Sequence, residues 1–159
     1  HVARHPRVFE RACAFAKAGG FIDITTGGGS WMGTAADAFF AALERDVPID
    51  RITFSSDGQG SMPRFNAQGE MVGFGVGSIE CDLETVRSVA DKAGLETALK
   101  PMTTTIAGAL GLPGKGRVAV GMDADLLVFD DELELSDVFM KGRRVMDSGK
   151  VVVKGAFEL

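Results

Sequence analysis

The run Ile52-Thr53-Phe54-Ser55-Ser56-Asp57-Gly58-Gln59, followed by Gly60-Ser61, decides how this chain is read. Its first half is β-branched and aromatic, the composition of a buried strand. It closes on one carboxylate, Asp57, and the backbone then turns on glycine. A rigid strand whose tip carries a carboxylate is how a barrel or α/β enzyme presents a catalytic acid at the mouth of its site. A lone aspartate there is as often a turn or helix-capping group. Ser55, Ser56, Gln59 and Ser61 crowd around this one, and that favours chemistry.

Upstream, residues 6–18 read as a helix. Pro6 fits the first turn, Val8, Phe9, Ala12, Phe15 and Ala16 recur at helical spacing, and Gly19-Gly20 stop it. Residues 21–26 (FIDITT) form a short strand, residues 27–33 a glycine-rich loop. Thr34-Ala35-Ala36-Asp37 resembles a capping box and opens a helix to about Arg45. Helix, strand, helix, strand implies a parallel sheet with helices outside it. Downstream, Pro63, Asn66, Gln68 and Gly69 mark a loop. Residues 79–93 read as a helix with Ser78 as N-cap and Gly94 at its end. Residues 95–100 form a helical turn, and Thr103 caps a last helix through Leu110. From Gly114 onward, short apolar strands at residues 117–120, 125–129, 137–141, 143–146 and 150–154 are punctuated by Gly and Asp, a hairpin pattern. A boundary near Leu112 divides the chain into 1–112 and 113–159.

Length and composition narrow the class. With 159 residues, 45% apolar and 25% charged, the chain can bury a real core. The net charge is −5 and no Lys/Arg cluster stands out, which argues against nucleic acid as a partner. The apolar runs are too short to span a bilayer as a helix. Cys13 and Cys81 both fall in helical stretches, and two buried free thiols of a cytosolic protein are preferred to a secretory disulfide.

His1 opens the chain as His1-Val2-Ala3-Arg4, which reads as a piece of something longer. A lone histidine is usually structural, and His5, just before a helix-starting proline, reads as a capping or surface residue. Arg4 is either a solvated arginine or a fork for a substrate carboxylate. Lys115 in Gly114-Lys115-Gly116 lacks the rest of a phosphate loop. The Gly27-Gly28-Gly29 loop lacks the third glycine of a dinucleotide site. Trp31 and Met32 are expected to cover a rim or form a lid, and Asp123 and Asp125 to serve a turn.

The stretch GKGRVAVGMDADLLVFD, Gly114 to Asp130, resembles the tail of the metal-dependent amidohydrolase superfamily, where an Ala-Asp-Leu strand begins a small β-sandwich after the barrel. Residues 137–143 resemble its next hairpin, and residues 99–112 the preceding helix. HVAR, GGFIDITT and ITFSSDGQGS together resemble β-aspartyl (isoaspartyl) dipeptidases. The resemblance implies an α/β fold, the C-terminal portion of a (β/α)8 barrel plus that β-sandwich. It makes His1 a metal ligand at the end of the sixth strand. Asp57 becomes a metal ligand after the eighth and the catalytic group that passes a proton to the leaving amine. Arg4 and Ser61 would hold a substrate carboxylate. The implied cofactor is a pair of zinc ions about 3.5–4 Å apart, and the substrate a small acidic dipeptide. A cytoplasmic homo-oligomer is expected. The family's His-x-His, carboxylated lysine and fifth-strand histidine are absent here. The 159 residues are therefore expected to need the missing N-terminal part of the barrel, to be inactive alone and to expose unpartnered apolar strand faces. A dihydroorotase-like or N-acyl-amino-acid hydrolase, or a non-catalytic assembly module, are the alternatives.

Overall fold

Two short strands of alternating character organise the front of the chain. In the computed structural model, which describes residues 1–27 and 30–155, β1 (Ile22–Thr25) and β2 (Ile52–Ser55) pair in parallel, with Ile22 opposite Ile52 and Thr25 opposite Ser55. Side chains alternate across a strand. Ile22, Ile24, Ile52 and Phe54 point to one face and are at most 4% exposed. Asp23, Thr25, Thr53 and Ser55 share the other face. The parallel sheet is the one expected. The unpartnered apolar faces are not: helices cover them, and the open face is polar.

Helix α1 (Pro6–Lys17) starts with proline in its first turn, and His5 Nδ1 accepts the Arg7 backbone N–H at its N-terminus. Its buried stripe is Phe9, Ala12, Cys13 and Ala16, one helical face. Val8 and Phe15, read as part of that stripe, turn outward instead. Phe15 lies against Gly20, where no side chain intervenes. Helix α2 (Ala35–Leu43) opens on the expected capping box, in which Thr34 Oγ1 accepts the Asp37 N–H and Asp37 accepts the Thr34 N–H. It supplies Ala35, Ala36, Ala38, Phe39 and Ala42 to the core. Phe39 meets Phe54 edge-on at 5.4 Å between ring centroids, a favoured aromatic geometry.

Beyond β2 the chain departs from expectation. In place of the loop that Pro63, Asn66, Gln68 and Gly69 predict after Ser61, the chain forms an antiparallel hairpin of β3 (Ser61–Phe65) and β4 (Met71–Val76). The turn chemistry was legible: Asn66 Oδ1 accepts the N–H groups of Gln68 and Glu70, and Gly69 takes a positive φ of 80°. Pro63 and two glycines hid the strands, because both residue types are depleted in sheets. The hairpin stands in solvent, with Phe65, Phe74 and Val76 each more than 60% exposed.

Helix α3 (Glu80–Ala93) has Ile79 at its N-cap, while Ser78, one residue earlier, accepts the Glu80 N–H. Gly94 ends it. Two short helices follow, α4 (Leu95–Leu99) and α5 (Thr104–Ala109). Thr103 does not cap α5; its hydroxyl donates back to Leu99 O at 2.8 Å. Residues 117–120 form no strand, and Val118 and Val120 are exposed. The segment is held by Lys115, which pairs with Asp123 at 2.8 Å and with Asp125. Gly116 sits where a Cβ would lie 2.7 Å from Ala107 Cβ and from Thr103 O, so only glycine fits. The last part is one four-stranded antiparallel sheet, β5 (Leu126–Phe129), β6 (Leu135–Met140), β7 (Arg143–Asp147) and β8 (Lys150–Val151). Among the described residues it is a single sheet, where a two-layer sandwich was expected. Strand β8 ends at Val151, earlier than the strand read over residues 150–154, though Val152 N–H still donates to Val145 O at 2.9 Å. Arg87 of α3 anchors the sheet through Leu133 O and Glu134, both at 2.7 Å.

Candidate active site

The site lies on the polar face of β1 and β2 and just beyond their C-terminal ends. Below it, Asp23 accepts Ser55 Oγ at 2.7 Å and Thr53 Oγ1 at 3.0 Å. Above, a single turn of 3-10 helix, Val2–Arg4, follows His1 and places it over the β1 tip. His1 Nδ1 contacts Thr25 Oγ1. The other ring nitrogen, Nε2, stands 3.4 Å from Asp57 Oδ2. Arg4 Nη2 reaches the same oxygen at 3.8 Å. His1 and Arg4 thus converge on one carboxylate oxygen of a residue more than fifty positions further along the chain. All three side chains are between 42% and 49% exposed, so they face solvent.

Asp57 is held by its backbone. It takes a left-handed φ of 56°, an uncommon conformation for a residue with a Cβ. It caps no helix. Its carbonyl accepts the Gly60 N–H at 3.0 Å, and the neck of the β3–β4 hairpin closes on the same turn through Gln59 N to Gly77 O and Gly77 N to Gly60 O. A Cβ on Gly77 would lie 2.9 Å from Asp57 O. The hairpin therefore clamps the turn that presents the carboxylate.

The polar crowd read around Asp57 is sorted differently in space. Ser55 points inward to Asp23, Ser56 Oγ accepts the Gly58 N–H at 3.1 Å, and Gln59 is engaged through its backbone. Ser61 begins β3 opposite Val76 and is exposed; its hydroxyl has no hydrogen-bond partner among the described residues. His1, Arg4 and Asp57 are brought together; Ser61 is near in sequence, but its side chain makes no hydrogen bond to them. Sequence reading passed over Asp23, Thr25 and Thr53. The alternation Ile-Asp-Ile-Thr and Ile-Thr-Phe-Ser was the available signal, since two parallel strands with polar residues at every second position imply a polar barrel interior.

The loop after β1 was expected to cover a rim or act as a lid. Its Trp31 N–H donates to Ala3 O at 3.3 Å, tying it to the turn that carries His1 and Arg4, while Met32 packs on the core. Gly28 and Gly29 lie outside the described residues. Nearby, Thr26 Oγ1 lies 2.5 Å from Asp82 Oδ1 and 3.3 Å from Cys81 Sγ, linking β1 to the start of α3.

An imidazole nitrogen and a carboxylate oxygen facing each other are donors that divalent first-row metals accept. No group of three or more metal-binding side chains occurs among the described residues. This chain thus fits a metal as one part of a donor set, not as the whole of it.

The chain belongs to the amidohydrolase family, whose sequence pattern matches residues 32–156. Among solved structures it is similar to the β-aspartyl dipeptidase of the thermophilic keratin degrader Fervidobacterium islandicum AW-1 in complex with β-Asp-Leu dipeptide. The two share 37% identity and a TM-score of 0.83, over 98% of this chain and 41% of that one. A second structure of a β-aspartyl dipeptidase from that organism gives 34% identity and a TM-score of 0.80, over 98% and 39%. The N-acetylglucosamine-6-phosphate deacetylase of Pasteurella multocida matches in fold at 17% identity and a TM-score of 0.58, over 80% of this chain and 37% of that one. The chain thus spans about two fifths of the length of the dipeptidases it resembles.

Proposed function

We propose that this chain is the C-terminal part of a zinc-dependent dipeptidase that cleaves isoaspartyl (β-aspartyl) dipeptides. The observation that carries the reading is the convergence of His1 Nε2 and Arg4 Nη2 on Asp57 Oδ2, at 3.4 and 3.8 Å. The 37% identity to a β-aspartyl dipeptidase over nearly the whole chain supports it. His1 and Asp57 would hold part of a binuclear zinc centre, which when bound activates water and polarises the scissile carbonyl. Asp57 takes the proton of the attacking water and returns it to the leaving amine, a task suited to a carboxylate in contact with solvent and a cationic neighbour. Arg4 offers a forked pair of donors to the free carboxylate of the substrate, and Ser61 adds a hydroxyl from the hairpin. An arginine fork makes an acidic dipeptide acceptable to a chain that is itself acidic.

The remaining donors are assigned to an N-terminal part of the barrel. The division between barrel and sheet portions is placed near Leu112, which agrees with every buried residue among those described lying at or before Ala107. Homo-oligomer formation and a cytoplasmic location go with this reading; no helix among the described residues is long and apolar enough to cross a membrane.

The test uses the longest polypeptide encoded by the reading frame. It is assayed on β-Asp-Leu, the α-linked isomer, dihydroorotate and an N-acyl amino acid. Preference for the β-linked dipeptide, with Asp57→Asn lowering kcat by roughly 10²-fold or more, is the expected result. Turnover of dihydroorotate or the N-acyl substrate in its place would assign a different hydrolase of the family. Full activity in Asp57→Asn would remove Asp57 from the chemistry.

A further inference from the structure

Four polar side chains line the inner face of β1 and β2, and three of them are engaged with one another. Asp23 accepts from Ser55 at 2.7 Å and from Thr53 at 3.0 Å. The fourth, Thr25, is left to contact Nδ1 of His1. The position of its hydroxyl oxygen is fixed. Threonine is β-branched and stiff about χ1. Thr25 is only 8% exposed. Its backbone is fixed in register with Ser55, and the next residue's N–H donates to Ser55 O at 2.8 Å. His1 is the opposite case, a side chain 45% exposed to solvent.

An imidazole in such a place can flip, exchanging which nitrogen faces the site. A fixed hydroxyl removes that freedom by pairing with one ring nitrogen and leaving the other to the site. We propose that Thr25 is a positioning residue, which by holding Nδ1 of His1 turns Nε2 toward Asp57 as the metal-binding nitrogen. The inference rests on the metal-hydrolase reading above. It makes a buried strand threonine, not a carboxylate, the orienting partner of a ligand histidine. Outer partners of this kind govern metal affinity as well as turnover.

The experiment measures Zn²⁺ affinity of the complete polypeptide against a chromophoric chelator, without substrate. Thr25→Val keeps shape and burial but removes the hydroxyl; Thr25→Ser restores it. The expected result is a loss of about 10- to 100-fold in zinc affinity for Thr25→Val, with wild-type affinity in Thr25→Ser. Should Thr25→Val not fold, Thr25→Ala serves in the same comparison. Wild-type affinity in the hydroxyl-free variant, alongside a loss in His1→Ala, would overturn the role of Thr25 and leave the metal assignment standing. Equal losses in Thr25→Val and Thr25→Ser would also overturn it, because packing and not the hydroxyl would then be responsible. Undiminished zinc binding in His1→Ala would instead sink the metal reading itself.

Discussion

Cys13 and Cys81 sit on helices of the same chain in unlike surroundings. Cys13 is 2% exposed on the buried face of α1, and burial pushes its thiol up, with the nearby Arg45 guanidinium opposing this only in part. Both thiols were expected to be buried, yet Cys81 is half-buried at the start of α3, its sulfur donating to Ser78 O at 3.2 Å. Thiolate and access together set alkylation rates. In native protein, iodoacetamide labels Cys81 first, and Cys13 reacts only on unfolding; peptide mass spectrometry reads the order. Faster labelling of Cys13 would contradict the packing of α1. The same contrast runs through the site residues. Asp57 was legible because its strand, carboxylate and glycine turn are contiguous. Thr25 and Asp23 were not, because their partners lie between 24 and 32 positions away in the chain.

Among the elements, α2 shows local chemistry agreeing with the fold. The Thr34 backbone N–H, and then its hydroxyl, hold the Asp37 carboxyl below the ordinary range. A depressed carboxylate stabilises the fold above its unfolded value, and that contribution is lost as pH falls through the lower folded value. Thr34→Ala loses about 1 kcal/mol at neutral pH; Asp37→Asn loses less, because the Asp37 side chain is 43% exposed and solvent screens its charge. For Asp37→Asn the gap to wild type begins to narrow below about pH 4 and closes as pH falls through the lower folded value. Urea melts at pH 7 and pH 3 check both statements, and a constant gap would show that the carboxylate charge plays no part. The parallel pair depends on tertiary packing instead. Phe54 is 1% exposed and meets Phe39 edge-on. Phe54→Ala costs roughly 3–5 kcal/mol, measurable in the same melts; a loss below about 1 kcal/mol would mean this core collapses easily. The hairpin of β3 and β4 is the element that sequence missed. Strand patterns announce themselves by alternating burial, and a hairpin that buries neither face has no such alternation to show.

For the molecule as a whole, the open polar face of β1 and β2 is the main fact. A two-stranded parallel sheet with helices on one side and Asp23, Thr25, Thr53 and Ser55 on the other is a segment of a barrel wall. The 159 residues expressed alone are expected to show no dipeptidase activity and to hold less than one zinc per chain, since two protein donors fall short of the three or four a catalytic zinc requires. Metal analysis after dialysis, with an activity assay, checks this; a zinc-replete, active chain would require a donor set assembled from this sequence alone.

Residue order alone determined the local features: the capping box of α2, the proline-led α1, the tip of the hairpin and the strand that ends at Asp57. Each depends on neighbours within a few positions, where dihedral preference and hydrogen bonding act. The tertiary structure decided which groups meet. His1, Arg4 and Asp57 converge because β1 and β2 pair in register and the hairpin neck clamps the turn after β2. Those contacts join residues more than fifty positions apart, and a local pattern of residue types does not encode them: chain reversal and sheet pairing, not propensity, bring such groups within 4 Å.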